Sequence, residues 1–132
     1  MAGGYRGVVG MAAGALGALG ERVAERWLVR RGWRVVARRY RVGHRDLDLI
    51  VRREQVIAFV EVKTRYSPGF GGPVCAAGRG KRRHLWRAAT IWIDRYGEPG
   101  VEYRFDVIGV LACGELIRVA HVENAFTIEH AR

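Results

Sequence analysis

Asp46-Leu47-Asp48-Leu49-Ile50-Val51-Arg52-Arg53-Glu54-Gln55-Val56-Ile57-Ala58-Phe59-Val60-Glu61-Val62-Lys63 reads as two strands joined by a tight turn. The runs from Leu47 to Val51 and from Val56 to Val62 are rich in Val, Ile, Leu and Phe, the composition of strands buried on both faces. The strong break between them is Arg52-Arg53-Glu54-Gln55. A hairpin centred on Glu54-Gln55 sets Asp48 opposite Glu61 and Asp46 opposite Lys63. Because side chains alternate along a strand, Asp46 and Asp48 share one face, and Glu61 and Lys63 share the matching face of the partner. Ile57 and Phe59 continue that face. The opposite face, made by Leu47, Leu49, Val51, Val56, Ala58, Val60 and Val62, is wholly apolar and is expected to carry a helix.

Directly opposed side chains in an antiparallel pair have Cβ atoms about 4.5–5.5 Å apart, and like charges there are destabilising. Two carboxylates held so close either share a proton or bind a cation, and a hard divalent ion with oxygen ligands, such as Mg²⁺, is the usual compensator. The plainer alternative is an ion-pair cluster in which Lys63 alone offsets one charge. Charged groups are rarely buried without a partner or a function, which favours the cation.

With 132 residues, the chain is long enough for one domain with a real core, expected over residues 13–132 after a flexible leader at 1–12. Hydrophobic residues make up 49% of it, which excludes a disordered chain. The net charge is +10, and since Lys63 and Lys81 are the only lysines, the surplus is almost entirely arginine. That excess points to a polyanion such as nucleic acid, because phosphate contacts dominate such affinities; DNA is expected in preference to RNA, a preference that the charge itself does not supply. Compositional bias toward Arg, Ala, Gly and Val could raise the arginine count but does not explain the shortage of acids. Cys75 and Cys113 lie far apart with no Cys-x-x-Cys spacing, so neither a zinc site nor a disulfide framework is indicated. A reduced cytoplasmic setting fits this and is expected. The Gly/Ala-rich run after Arg6 makes a weak signal-peptide core and leads straight into a helical pattern. No stretch approaches the roughly 20 apolar residues of a membrane span.

From Ala13 to Arg31 the residues Leu16, Leu19, Val23 and Trp27 form one helical stripe, widened by Ala24 and Leu28, and Gly32 suits the position that ends such a helix. Glu21 sits at the border of the buried arc and can reach toward whatever the helix covers. Trp33 to Arg41 reads as a first strand, and Gly43-His44-Arg45 bends into the next. His44 is read as a turn residue. Beyond Lys63, the turn-rich segment through Arg65, Tyr66 and Phe70 to Pro73 suits contact with a nucleic-acid backbone or an unstacked base, or serves as a simple connector. Gly78-Arg79-Gly80-Lys81 lacks the spacing of a phosphate-binding loop. It opens a helix to about Arg95 with Leu85, Ala88, Ala89 and Trp92 on its apolar stripe. Lys81, Arg82, Arg83 and Arg87 would make a phosphate-facing patch on it, or a solvated face. Two further strands are expected, Tyr103 to Leu111 and Glu115 to Val122. Asp106, inside the first, either pairs with Arg104 or approaches the carboxylates.

The order Asp48, Glu61, Lys63 on paired strands resembles the PD-(D/E)xK nuclease superfamily. More closely, the chain resembles the YraN-like family of small bacterial proteins, described as predicted endonucleases. The residues that carry this resemblance are Gly20-Glu21 with Ala24, Asp48-Leu49-Ile50, Phe59-Val60-Glu61-Val62-Lys63-Thr64-Arg65, Phe70-Gly71 with Pro73, Lys81, Arg104-Phe105-Asp106-Val107 and Asn124-Ala125-Phe126. One position departs: the family has Gly-Glu where this chain has Arg45-Asp46, so the charge stays on a side chain one methylene shorter and the glycine is lost.

The resemblance implies a restriction-endonuclease-like α/β fold, a central mixed sheet flanked by helices in the order α-β-β-β-α-β-β. It implies metal-dependent hydrolysis of phosphodiester bonds, selective for nucleic-acid structure. Asp48, Glu61 and the Val62 carbonyl would hold Mg²⁺ or Mn²⁺, Lys63 would serve the attacking water, and Glu21 would add a ligand through water. Asp46 stands beside this set. The rival readings are a nucleic-acid-binding protein that keeps the fold without the chemistry, and an interaction module that forms a homodimer through its terminal strands.

Overall fold

The computed structural model describes residues 13–66, 79–113 and 116–126. The expectations for the leader at 1–12 and for the loop carrying Phe70 and Pro73 lie outside the described residues, as do the side chains of Tyr66, Lys81 and Arg82. Two helices and five strands follow in the expected order: α1 (Ala13–Arg30), β1 (Arg34–Val42), β2 (Arg45–Arg53), β3 (Val56–Tyr66), α2 (Arg79–Tyr96), β4 (Glu102–Cys113) and β5 (Leu116–Phe126). The strands form one mixed sheet in sequential order β1-β2-β3-β4-β5. Only β3 and β4 run parallel, and α2 makes the crossover between them.

Local signals set the ends of these elements. Gly32 adopts a φ of 90°, its N–H bonds the Val29 carbonyl at 3.1 Å, and the Trp33 N–H reaches back to Leu28 at 3.1 Å. This is the paired hydrogen-bond pattern of a Schellman cap, which needs a left-handed residue that glycine adopts without Cβ strain. Between β2 and β3 the two-residue turn falls on Glu54-Gln55, with Glu54 at a φ of 55°. The ladder beyond it runs Arg53–Val56, Arg52–Ile57, Val51–Ala58, Ile50–Phe59 and Leu49–Val60, the register that the two apolar runs dictate.

Each helix covers one face. Val23, Ala24 and Leu28 of α1 pack on Leu49, Val51, Ala58, Val60, Ile108 and Val110. On the other face Leu85, Ala88, Ala89 and Trp92 of α2 pack on Leu47, Ile50, Ile57, Phe59, Phe105 and Phe126. Phe59 anchors this second layer, edge-on to Trp92 at 5.7 Å and tilted against Phe105 at 5.5 Å. Among the described residues no helix is long and apolar enough to cross a membrane.

One expected face assignment is overturned. Leu47 packs with Ile50 under α2 and not with Leu49 under α1. The same break appears on β1, where Ala37 and Tyr40 both lie against the α2 layer. These positions are register partners, Ala37 with Ile50 and Tyr40 with Leu47. The intervening Arg39 has a φ of 48°, so strict alternation is lost on both strands at one level. As a result Arg38 and Arg39, consecutive residues, both reach acids of α1: Arg38 meets Glu25 at 2.7 Å and Arg39 meets Glu21 at 3.0 Å.

Helix α1 approaches β3 closely at Gly20, where an added Cβ would collide with the Thr64 side chain. Gly20→Ala is expected to destabilise the fold by about 1–2 kcal/mol, the cost of overpacking exceeding the gain in helix propensity. Urea unfolding of Gly20→Ala combined with Thr64→Ala should recover most of that loss, which a purely local helix effect would not do.

Candidate functional site

The β2–β3 ladder ends at Leu49–Val60, and the strands part beyond it. Asp48 stands at the fork. Its Oδ2 accepts the backbone N–H of Val62 at 2.8 Å, so the carboxylate lies in the gap between the strands, where the next backbone pair would otherwise form. Glu61, 7% exposed, is close enough to hydrogen-bond the Asp48 carboxyl when that carboxyl is protonated. The two acids are thus neighbours through a side-chain bridge and not as a ladder pair. Lys63 is half-buried, two positions on along β3.

The electrostatics are adverse. Burial pushes the Asp48 carboxyl up to about 7, and the charge of Glu61 adds to this. The Val62 N–H works the other way, while Glu21 contributes a further upward push from α1. Glu21 therefore faces the same region, held by Arg39 with its side chain 27% exposed. Asp46, the position that departs from the YraN-like pattern, is half-buried and has Arg41 as its β1 partner. The described ladder does not include the expected pairing of Asp46 with Lys63. Arg65 is exposed, with its guanidinium on the Thr64 carbonyl at 3.3 Å. Arg83 and Arg87 are exposed on α2, and His44 is exposed in its turn.

Asp106 resolves differently from Asp48. It is 1% exposed and its two oxygens take the Arg104 guanidinium at 3.0 and 3.1 Å, His121 Nε2 at 2.7 Å and the Asn124 N–H at 2.9 Å. Burial alone would push its carboxyl up. The hydrogen bonds from His121, Asn124 and Arg104 outweigh that and hold it below the ordinary value. The local backbone serves this cluster: between the pairs Phe105–Phe126 and Val107–Val122, β5 bulges around Asp106, with Asn124 at a φ of 51°. Asn is one of the few residues that tolerate that conformation. Of the two roles considered for Asp106, the structure shows the Arg104 pair.

His121 and Glu123 escaped the reading of the sequence. Their spacing of two along a strand, which places both on one face, was the available signal. With Asp106 they bring ligand-type atoms within 4.8 Å of one another, a group that could hold a metal ion. The Arg104 guanidinium already bridges Asp106 and Glu123, the latter at 2.7 Å, and supplies the positive charge there.

A five-stranded mixed sheet flanked by two helices, with Asp48 and Glu61 side by side where two strands part, defines an α/β protein with a buried acidic pair. The chain belongs to the uncharacterised protein family UPF0102, whose pattern matches residues 20–110; this is the YraN-like family expected from the sequence. A UPF0102 protein of Chlorobaculum tepidum is 37% identical over 119 residues, covering 86% of this chain and 92% of its own. One from Nocardia farcinica is 46% identical over 97 residues, covering 74% and 76%. Among solved structures, SfsA of Pyrococcus furiosus in complex with Ca²⁺ aligns at a TM-score of 0.39 and 20% identity. That alignment covers 85% of this chain and 64% of the SfsA chain.

The two aspartates should respond oppositely to substitution. Asp106→Ala leaves Arg104 without its buried partner and orphans the Asn124 N–H, and is expected to cost about 3–5 kcal/mol by urea unfolding. The folded Asp48 carboxyl keeps its proton up to about 7, whereas the unfolded chain releases it near 3.8. The folded state therefore loses stability as pH rises between those values, and the loss is complete above the higher one. Asp48→Asn removes the charge and keeps an acceptor for Val62. In metal-free buffer it should melt about 4 °C or more above the parent at about pH 8, with the gap closing near pH 4.

Proposed function

We propose that this protein is a divalent-metal-dependent nuclease that hydrolyses phosphodiester bonds, acting in the cytoplasm on DNA selected by its structure. The observation that carries this reading is the Asp48 carboxylate seated on the Val62 N–H at 2.8 Å, beside the buried Glu61, where β2 and β3 separate. In a strand the N–H and C=O of one residue point to the same side. The Val62 carbonyl therefore faces the same gap as its N–H, and the fork offers two carboxylates and a main-chain oxygen.

That donor set suits a hard cation such as Mg²⁺ or Mn²⁺, which prefers oxygen ligands and octahedral geometry. The upward push on the Asp48 carboxyl is the strain that a bound cation would relieve. Asp48, Glu61 and the Val62 carbonyl would hold the ion, and Glu21, turned toward Asp48 from α1, would add a water-mediated contact. When bound, such an ion polarises a phosphodiester oxygen and makes water acidic enough to attack at neutral pH. Lys63 orients that water and offsets the negative charge that builds on the phosphate. Arg65, Arg83 and Arg87 are exposed and can neutralise backbone phosphates; for Lys81 and Arg82 the same role rests on the sequence alone. Among the described residues no element presents a set of side chains suited to reading base edges in the major groove, which favours selection by structure.

A cleavage screen over linear, nicked and branched DNA and their RNA counterparts, with Mg²⁺ or Mn²⁺, tests the proposal. Glu61→Gln and Lys63→Met should each lower the cleavage rate by about 100-fold or more while the melting temperature stays near that of the parent. Metal-dependent cleavage that survives Glu61→Ala unchanged rules the assignment out. Calorimetry with Mn²⁺ separates the rival of a binding protein without chemistry: saturable binding lost in Asp48→Ala supports the nuclease, and its absence in the parent supports the rival.

A further inference from the structure

A second concave site lies at the other end of β2, a cleft of about 390 Å³ between the β1–β2 edge of the sheet and the C-terminal half of α2. Its walls include Arg34, Arg52, Tyr40, Trp92, Tyr96 and Glu98. Arg52 lies four positions beyond Asp48 along β2, roughly 13 Å at the rise of a strand, so the cleft is distinct from the carboxylate fork.

Two features of its wall call for a ligand. Arg34 and Arg52 are direct register partners across β1 and β2, an arrangement in which like charges repel. Arg52 spends its charge within the protein, on Glu98 at 2.8 Å, with further bonds to the Gln55 side chain and the Glu54 carbonyl. Arg34 is exposed and has no ion pair among the described residues, so one cation at the cleft stays uncompensated. The second feature is aromatic. Trp92 is buried against Phe59 and lies 5.5 Å, ring to ring, from Tyr96, whose ring is tilted by 43° to it; Tyr96 as a residue is 56% exposed. Large aromatic rings left in water on a rigid support are suited to stacking. Tyr40 is fixed from the same helix by Arg95, which donates to its hydroxyl at 3.2 Å.

From an uncompensated guanidinium beside a supported, exposed ring, we infer that the cleft binds one unpaired nucleotide, its base against Tyr96 and its phosphate on Arg34. The volume falls within the range of small-ligand sites and exceeds what a bare inorganic anion would need. Glu98, held by Arg52, leaves carboxylate lone pairs for the exocyclic amine of a base. Such a nucleotide has two sources, a free mononucleotide or an unpaired position in a strand. The site stands whether or not the fork cleaves anything.

The test is metal-free binding of 2′-deoxyadenosine 5′-monophosphate and of hexadeoxyadenylate, followed by tryptophan fluorescence and by anisotropy of the labelled oligomer. Tyr96→Ala, which changes no charge, is expected to weaken binding about tenfold without altering the salt dependence, and Tyr96→Phe should restore it. Arg34→Ala is expected to weaken binding and to lower the salt slope by about one. Arg118→Ala, on the exposed side of β5, controls for generic attraction to a basic protein and should change affinity less than about twofold. Binding of both probes, lost in the Tyr96 and Arg34 variants, supports the cleft with either source; loss confined to the oligomer assigns it to a strand, and loss confined to the monophosphate to a free nucleotide. Affinities for both probes that stay within about twofold in Tyr96→Ala, or an Arg118→Ala effect equal to that of Arg34→Ala, overturn it. Cleavage assays play no part in the readout, so this result and that for the fork fail independently.

Discussion

A single hydrogen bond, from the Val62 N–H to the Asp48 carboxylate, organises the middle of this sheet. On its far edge β3 is committed to β4 through a long parallel ladder from Val56–Glu102 to Tyr66–Ala112. On its near edge β2 leaves after Leu49–Val60, and a backbone donor would be orphaned in a half-buried place if no side chain replaced the lost partner. Asp48 replaces it. The consequence is that a carboxylate is drawn into the plane of the sheet and brought against Glu61, so that satisfying the backbone creates the acidic pair.

The same sheet shows how differently a buried aspartate can be treated. Around Asp106 the chain supplies a bidentate arginine, a histidine and a backbone N–H from a bulged β5, and the carboxyl stays below its ordinary value. Around Asp48 it supplies one N–H and a like-charged neighbour, and the carboxyl rises to about 7. Desolvation acts upward on both, so the difference lies in compensation. A fully compensated acid is a structural element, whereas one left short of positive charge is poised for a cation or a proton.

Much of the arginine surplus has structural work. Arg38 and Arg39 tie β1 to α1, Arg104 fills the Asp106 cluster, and Arg31 and Arg53 lie over Trp27 and Trp33 at 3.1 and 4.5 Å. Planar guanidinium groups serve such contacts better than lysine does. The net charge of +10 is therefore not one continuous ligand surface. Among the described residues Arg34, Arg65, Arg83 and Arg87 are exposed with no acid paired to them, as are several others such as Arg22, Arg26 and Arg118.

The amino-acid order by itself determined the elements, the β2–β3 register and the stop of α1, because these depend on apolar runs, a polar break and a glycine at a cap, all local in the chain. The expected register points to Asp48 and Glu61 as neighbours, but the ladder stops at Leu49–Val60, and it is the bond from the Val62 N–H that brings the Asp48 carboxylate against Glu61. Only the tertiary structure decided which face Leu47 occupies, because a left-handed Arg39 and a break in alternation leave no mark on a period-two pattern. Arg104 was a legible partner for Asp106, but its other two partners lie 15 and 18 residues onward, across a bulge whose offset no single strand encodes. The cleft lined by Arg34 and Tyr96 likewise exists only once α2 is laid over the β1–β2 edge, since its walls come from segments that meet through packing and not through sequence proximity.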